Sequence, residues 1–212
     1  MWYWILLAVL AQTKAITQGP HRMEIVLERR DGETWKAVDP GLVFQRDDRV
    51  RFRVKTNFGG YLYVMNRSTS GKQELLFPTA EAGEKNRIEA ERQYVVPATA
   101  GAFRIAGPPG QEIVYWLVSP VEFTKDEREY VPLPPPPKPG KAPPNLTPRC
   151  DDTILRARGD CVDTSAGARP VKSAAQATPP EVMFVRQANA SVVASPAQLE
   201  GPVIFEFRLA HR

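Results

Sequence analysis

The stretch RVRFRVKT at Arg49–Thr56 decides the fold. Val50, Phe52 and Val54 alternate with Arg49, Arg51, Arg53 and Lys55. A period of two belongs to a strand with one buried face, because successive side chains leave a strand on opposite sides. Asn57-Phe58-Gly59-Gly60 breaks the pattern, and GYLYVMNR (60–67) follows. A turn at residues 68–71 leads into KQELLFP (72–78). Upstream, MEIVLER (23–29) alternates in the same way, and Asp31-Gly32 marks a hairpin turn toward a short strand at 35–38. Downstream come short runs at 86–90, 93–96 and 102–106, then the rigid turn Gly107-Pro108-Pro109-Gly110. EIVYWLVS (112–119) is apolar on both faces, the pattern of a central strand covered on both sides. Short strands, frequent turn signals and no long helical period predict an all-β fold. The expected form is an antiparallel β-sandwich of the immunoglobulin-like kind.

Composition supports a folded chain. Of 212 residues, 42% are apolar and 25% charged, so a core can form and wholesale disorder is excluded. The net charge of +4 is too small and too dispersed to indicate nucleic acid. Two His and two Cys exclude most His-based catalysis and leave too few ligands for an ordinary structural zinc site. No cofactor is implied.

The chain divides into three parts. Residues 1–15 read as a signal peptide. The apolar run WYWILLAVLA (2–11) would rise about 15 Å as a helix, half of a hydrocarbon core. Small residues at Ala8, Ala11 and Ala15 suit cleavage, although no Lys or Arg precedes the run. After cleavage no transmembrane segment is expected. Residues 22–120 together with 181–210 form the sandwich domain. Residues 121–180 form a linker or insertion, with nine prolines between Pro132 and Pro148. Within it, Cys150 and Cys161 are close enough to close a small loop, and export favours a disulfide. A bridge in a linker is expected to add little to the stability of the sandwich. VIFEFRL (203–209) places Val203, Phe205, Phe207 and Leu209 on one apolar face, so the chain is expected to return after the insertion and add a strand.

Several phrases within residues 42–120 occur together: DDRVRFRVKTN, GGYLYVMNRSTSGKQELLFP, NRIEAERQYVVP and FRIAGPPGQEIVYWLVSP. In this order and spacing they resemble a bacterial family, domain of unknown function 4384. The resemblance implies a β-sandwich usually joined to other bacterial modules, and it supplies no catalytic residues. Physically, the phrases read as fold-specifying. Gly59-Gly60 lets the chain turn sharply, Asn66 caps a hairpin through its side chain, and Pro78 ends a strand.

Two surface features are candidate sites. The stripe Arg49, Arg51, Arg53 and Lys55 places four cations on one face at intervals of about 6–7 Å. It suits an anionic polymer or acidic partner, unless acids such as Glu24, Glu28 or Glu206 on adjacent strands neutralise it. Tyr61, Tyr63 and Trp116 are a candidate aromatic platform, the alternative being core packing. His21 and His211 have no nucleophile in a recognisable arrangement. Asp151, Asp152, Asp160 and Asp163 do not match a calcium loop. The expectation is a non-catalytic interaction or accessory module of the bacterial cell envelope. It would be exported to the periplasm or envelope and bind an unidentified protein or anionic envelope polymer. The alternative is an exported carboxylate-based hydrolase.

Overall fold

The computed structural model describes residues 20–69, 71–123, 150–151, 153–172, 177–196 and 201–212. The segment read as a signal peptide, 1–15, and the Pro-rich stretch at 124–149 lie outside the described residues. Among the described residues, no helix is long and apolar enough to cross a membrane.

The protein is an all-β sandwich of two sheets. In chain order the strands are β1 (His21–Asp31), β2 (Thr34–Ala37), β3 (Val43–Phe44), β4 (Arg49–Thr56), β5 (Gly60–Arg67), β6 (Gln73–Phe77) and β7 (Arg87–Ile88). They continue with β8 (Gln93–Val96), β9 (Phe103–Arg104), β10 (Gly110–Ser119), β11 (Gly167–Pro170), β12 (Met183–Gln187), β13 (Ala190–Ser195) and β14 (Val203–His211). A single helical turn, α1 (Thr153–Ala157), precedes β11. The first sheet runs β12-β13-β1-β4-β8, with β2 on β1 and β9 on β4. The second runs β11-β14-β10-β5-β6, with β3 on β14 and β7 on β5. The pairings are antiparallel except for β3 with β14, which run parallel.

Alternation places the core where the sequence indicates. Val50, Phe52 and Val54 of β4 point between the sheets beside Met23, Ile25 and Leu27 of β1. From the second sheet, Val114, Trp116 and Val118 of β10 and Val203, Phe205, Phe207 and Leu209 of β14 meet them. Phe52 packs edge-on against Trp116 (ring centroids 5.1 Å apart) and against Phe207 (5.5 Å), while Trp116 stacks parallel to Phe205 at 6.3 Å. Burying each of these side chains contributes about 2–3 kcal/mol, and each well-oriented aromatic pair about 0.5–1.5 kcal/mol more.

Strand β10 is buried along its whole length, as its two-faced apolar sequence requires. On its outer side, Ile113, Tyr115 and Leu117 join Tyr63, Met65, Val171 and Ile204 in a second apolar cluster, with Phe123 packed against it. Gly60 is needed for close approach, not for an unusual backbone angle. A Cβ there would meet the Ser119 carbonyl oxygen at 2.8 Å.

The stretch 121–180 contributes more than a linker would. β11 extends the second sheet beyond β14. Cys150 and Cys161 form the expected disulfide, and the loop they close is tied to the sandwich. Val43 N donates to the Cys161 carbonyl at 3.0 Å, and Asp163 N donates to the Gly41 carbonyl at 2.7 Å. Cys161 packs on Val43 and Ala210, with Cys150 alongside. Asp163 is fully buried and accepts a hydrogen bond from Gln111 Nε2 at 2.7 Å. The loop is part of the wall of the second sheet, so its disulfide is expected to contribute more to stability than one in a free linker would. Asp151 is occupied internally as well, accepting from Thr164 Oγ1 at 2.6 Å.

Two measurements check this architecture. Replacing both Cys150 and Cys161 by Ser should lower unfolding stability by about 2–4 kcal/mol in urea titration; a change near zero would show the loop to be an appendage. Phe207→Ala should cost about 3–5 kcal/mol, since it removes a ring from the joint between the sheets.

Candidate functional site: a pocket between the sheets

The basic stripe lies on the outer face of the first sheet, as its alternation requires. It is not a free row of cations. Glu28 of β1 stands opposite Arg51 in the ladder, and its carboxylate is only 8% exposed. It accepts a hydrogen bond from Arg51 Nε at 2.7 Å. Arg53 Nε lies 3.3 Å from the other oxygen, an ion pair without hydrogen-bond alignment. Arg51 also sits over the Trp35 ring, 4.3 Å from its centroid. Lys55 pairs with Glu91 at 2.8 Å. Glu24 turns to Arg22 and Glu206 to Arg208, on the other sheet, so of the three acids named from the sequence only Glu28 engages the stripe. Arg49 stands opposite Arg104 of β9.

The three aromatic residues do not form a platform. Trp116 stands opposite Val64 in the ladder and points into the core, whereas Tyr63 stands opposite Leu117 and points outward. Neighbouring residues on a strand cannot share a face. Tyr63 accepts a hydrogen bond from Phe123 N at 2.7 Å, and the Phe123 ring stacks on it at 5.1 Å. Beside it, burial pushes the Tyr115 hydroxyl up to about 12.

The arrangement best suited to hold a ligand is one the sequence reading did not assign. A cavity of about 310 Å³ opens between the sheets. Val50 and Phe52 of β4, Ala102 just before β9, and Phe103 and Arg104 of β9 wall one side. The other side comes from Asn66 of β5, Glu74 and Leu76 of β6, Glu112 and Val114 of β10, and Leu209 of β14. Asn66 is in phase with the inward-facing Leu62 and Val64, and Glu112 with Val114, Trp116 and Val118. Both polar side chains therefore face the interior, where an apolar residue would complete the core. A β-bulge between Val64 and Met65 shifts the phase of β6, so that Glu74 rather than Gln73 shares the face of Asn66.

Asn66 does not cap its hairpin through its side chain, as the sequence suggested; it donates Nδ2 to Glu112 Oε2 at 2.8 Å. Glu112 is 8% exposed. Its other oxygen lies 3.5 Å from Thr69 N and 3.4 Å from Nε2 of His211, itself 1% exposed. Thr69 Oγ1 is 3.3 Å from the same ring nitrogen. A sequence signal for this site exists: a Glu and an Asn in register with core positions of two strands. Among the described residues, no group of three or more His, Cys, Asp or Glu is arranged to hold a metal ion.

The neutralised stripe yields a test. Glu28→Gln should destabilise the protein by about 1–3 kcal/mol, because two guanidinium groups lose their shared buried acceptor. It should also raise retention on a heparin column at low salt, by freeing Arg51 and Arg53. Unchanged retention would leave the stripe as a solvated face.

No curated protein and no solved structure matches the chain. Apart from Leu209, the pocket residues named above fall within the one matched segment. Residues 43–122, from β3 through β10, match the model of a family described as Domain of unknown function (DUF4384).

Proposed function

We propose that this chain is a non-catalytic β-sandwich interaction module of the bacterial cell envelope, and that the pocket between its sheets is the ligand site. The pocket itself carries the reading. Ligand sites are concave, mostly apolar and equipped with a few placed polar groups, and about 310 Å³ falls at the lower end of their usual range. Glu112 is bound by an amide and flanked by a ring nitrogen and a backbone N–H, an arrangement that holds it in one orientation for recognition. Export is supported by the Cys150–Cys161 disulfide, since such bonds persist in oxidising compartments.

The hydrolase reading has one observation in its favour: Glu74 and Glu112 line the same cavity. Glu74, however, is 43% exposed and paired with Lys72 at 2.6 Å, a solvated rim position. One screen separates the two readings. In heteronuclear NMR against a library of small fragments, shifts should cluster on the pocket and disappear in Ala102→Phe, which fills it. Chromogenic glycosides and esters should be cleaved no faster than in buffer. Turnover abolished by both Glu74→Gln and Glu112→Gln would establish the hydrolase instead.

A further inference from the structure

The floor of the pocket offers more acceptors than the protein supplies with donors. The bond from Asn66 Nδ2 to Glu112 fixes the orientation of the amide. Its Oδ1 is consequently turned elsewhere, and it is buried without a hydrogen-bond partner. Buried polar atoms are nearly always paired, so such an acceptor marks a place for a donor. Glu112 has the same surplus. Beyond Asn66, its contacts with Thr69 N and His211 Nε2 are 3.5 and 3.4 Å, long for hydrogen bonds. No Lys or Arg contacts it among the described residues. The other charged side chains of the lining have partners of opposite sign outside the cavity: Lys72 for Glu74 at 2.6 Å and Asp47 for Arg104 at 3.4 Å. Above the floor, Val50, Phe52, Leu76, Phe103, Val114 and Leu209 supply most of the wall, with Glu74 and Arg104 held by their outer partners.

We propose that the pocket receives an alkylammonium or alkylguanidinium group, a basic side chain of a partner protein or a free polyamine. The cationic head donates to Glu112 and to Asn66 Oδ1, and the methylene stem lies along Phe52 and Phe103. This rests on the pocket being the ligand site. A charge-assisted hydrogen bond is about twice as strong as a neutral one, so the carboxylate selects a cation over an alcohol. It repels an anion of the same shape. The volume suits a group the size of one side chain rather than an extended polymer.

The test titrates the folded protein with n-pentylammonium and n-butylguanidinium, and with the isosteres pentanol and pentanoate, reading the methyl resonances of Val114 and Leu209. The cations should shift both methyls and bind at least about tenfold more tightly than either isostere. Glu112→Gln should weaken the cations by roughly tenfold to a hundredfold, as the loss of a charged hydrogen bond implies. If that variant fails to fold, Ala102→Phe, which alters no charge, must abolish binding. Tighter binding of Nα-acetyl-lysine methylamide than of cadaverine identifies a protein side chain as the source, and the reverse a free polyamine. Pentanol or pentanoate binding as tightly as the cations overturns the proposed class while leaving the pocket a ligand site. Full cation affinity in folded Glu112→Gln overturns the role of the carboxylate. If neither the cations nor any fragment of the library moves the pocket methyls, both the class and the ligand site fall.

Discussion

The edge-to-face packing of Phe52 on Trp116 and Phe207 joins the two sheets, and the rest of the molecule is arranged around it. Phe52 belongs to the first sheet. Trp116 and Phe207 lie on β10 and β14, neighbours in the second. These three rings are far apart in sequence, so the core closes only when the C-terminal strand has returned. β14 takes a place between β10 and β11. An isolated strand gains nothing in water, but one paired on both edges satisfies its backbone and buries its apolar face at once.

Two buried carboxylates show how neighbouring strands decide what an acid does. Glu28 and Glu112 are almost equally shielded from solvent. Glu28 faces outward beside two guanidinium groups, which compensate its charge. Glu112 faces inward among an amide, a backbone N–H and a ring nitrogen. A buried charge without a full counter-charge is expensive unless it is hydrogen-bonded, and a protein that keeps one generally uses it. The segment that matches the family model contains Glu112, Asn66 and Glu74, whereas Glu28 comes from β1, outside it. The surface charge of the stripe is thus masked by a strand the matched segment does not include, while most of the pocket is built within that segment.

The Cys-containing loop illustrates a different dependence. Its residues show no apolar periodicity, and as a sequence it reads as a spacer. In the structure it buries Cys161, Val162 and Asp163, and hydrogen bonds tie it to the segment before β3 and to Gln111 of β10. The disulfide shortens the loop enough for these few contacts to hold it, because a closed loop has less conformational entropy to lose on docking.

Local alternation alone determined most of the strands. RVRFRVKT and VIFEFRL declare which face they bury, because a period of two leaves one way to hide the apolar side, and EIVYWLVS, apolar on both faces, declares a strand covered on both. The proximity of Cys150 and Cys161 in the chain made their bond legible, and the phrases between residues 42 and 120 made the family resemblance legible. Which strands become neighbours was not legible, since pairing partners are set by long-range packing rather than by local pattern. That is why only the structure selected Glu28 from the three acids that the sequence offered to the stripe, and why Tyr61 and Tyr63 parted from Trp116. The pocket lay furthest from view. Asn66 and Glu112 sit at inward positions that any alternation analysis marks, yet each looks like the polar end of its strand until the ladder sets Val114 opposite Asn66 and the opposing sheet covers both. Only tertiary structure encloses a cavity, because its walls come from strands of two sheets that no local sequence relation brings together.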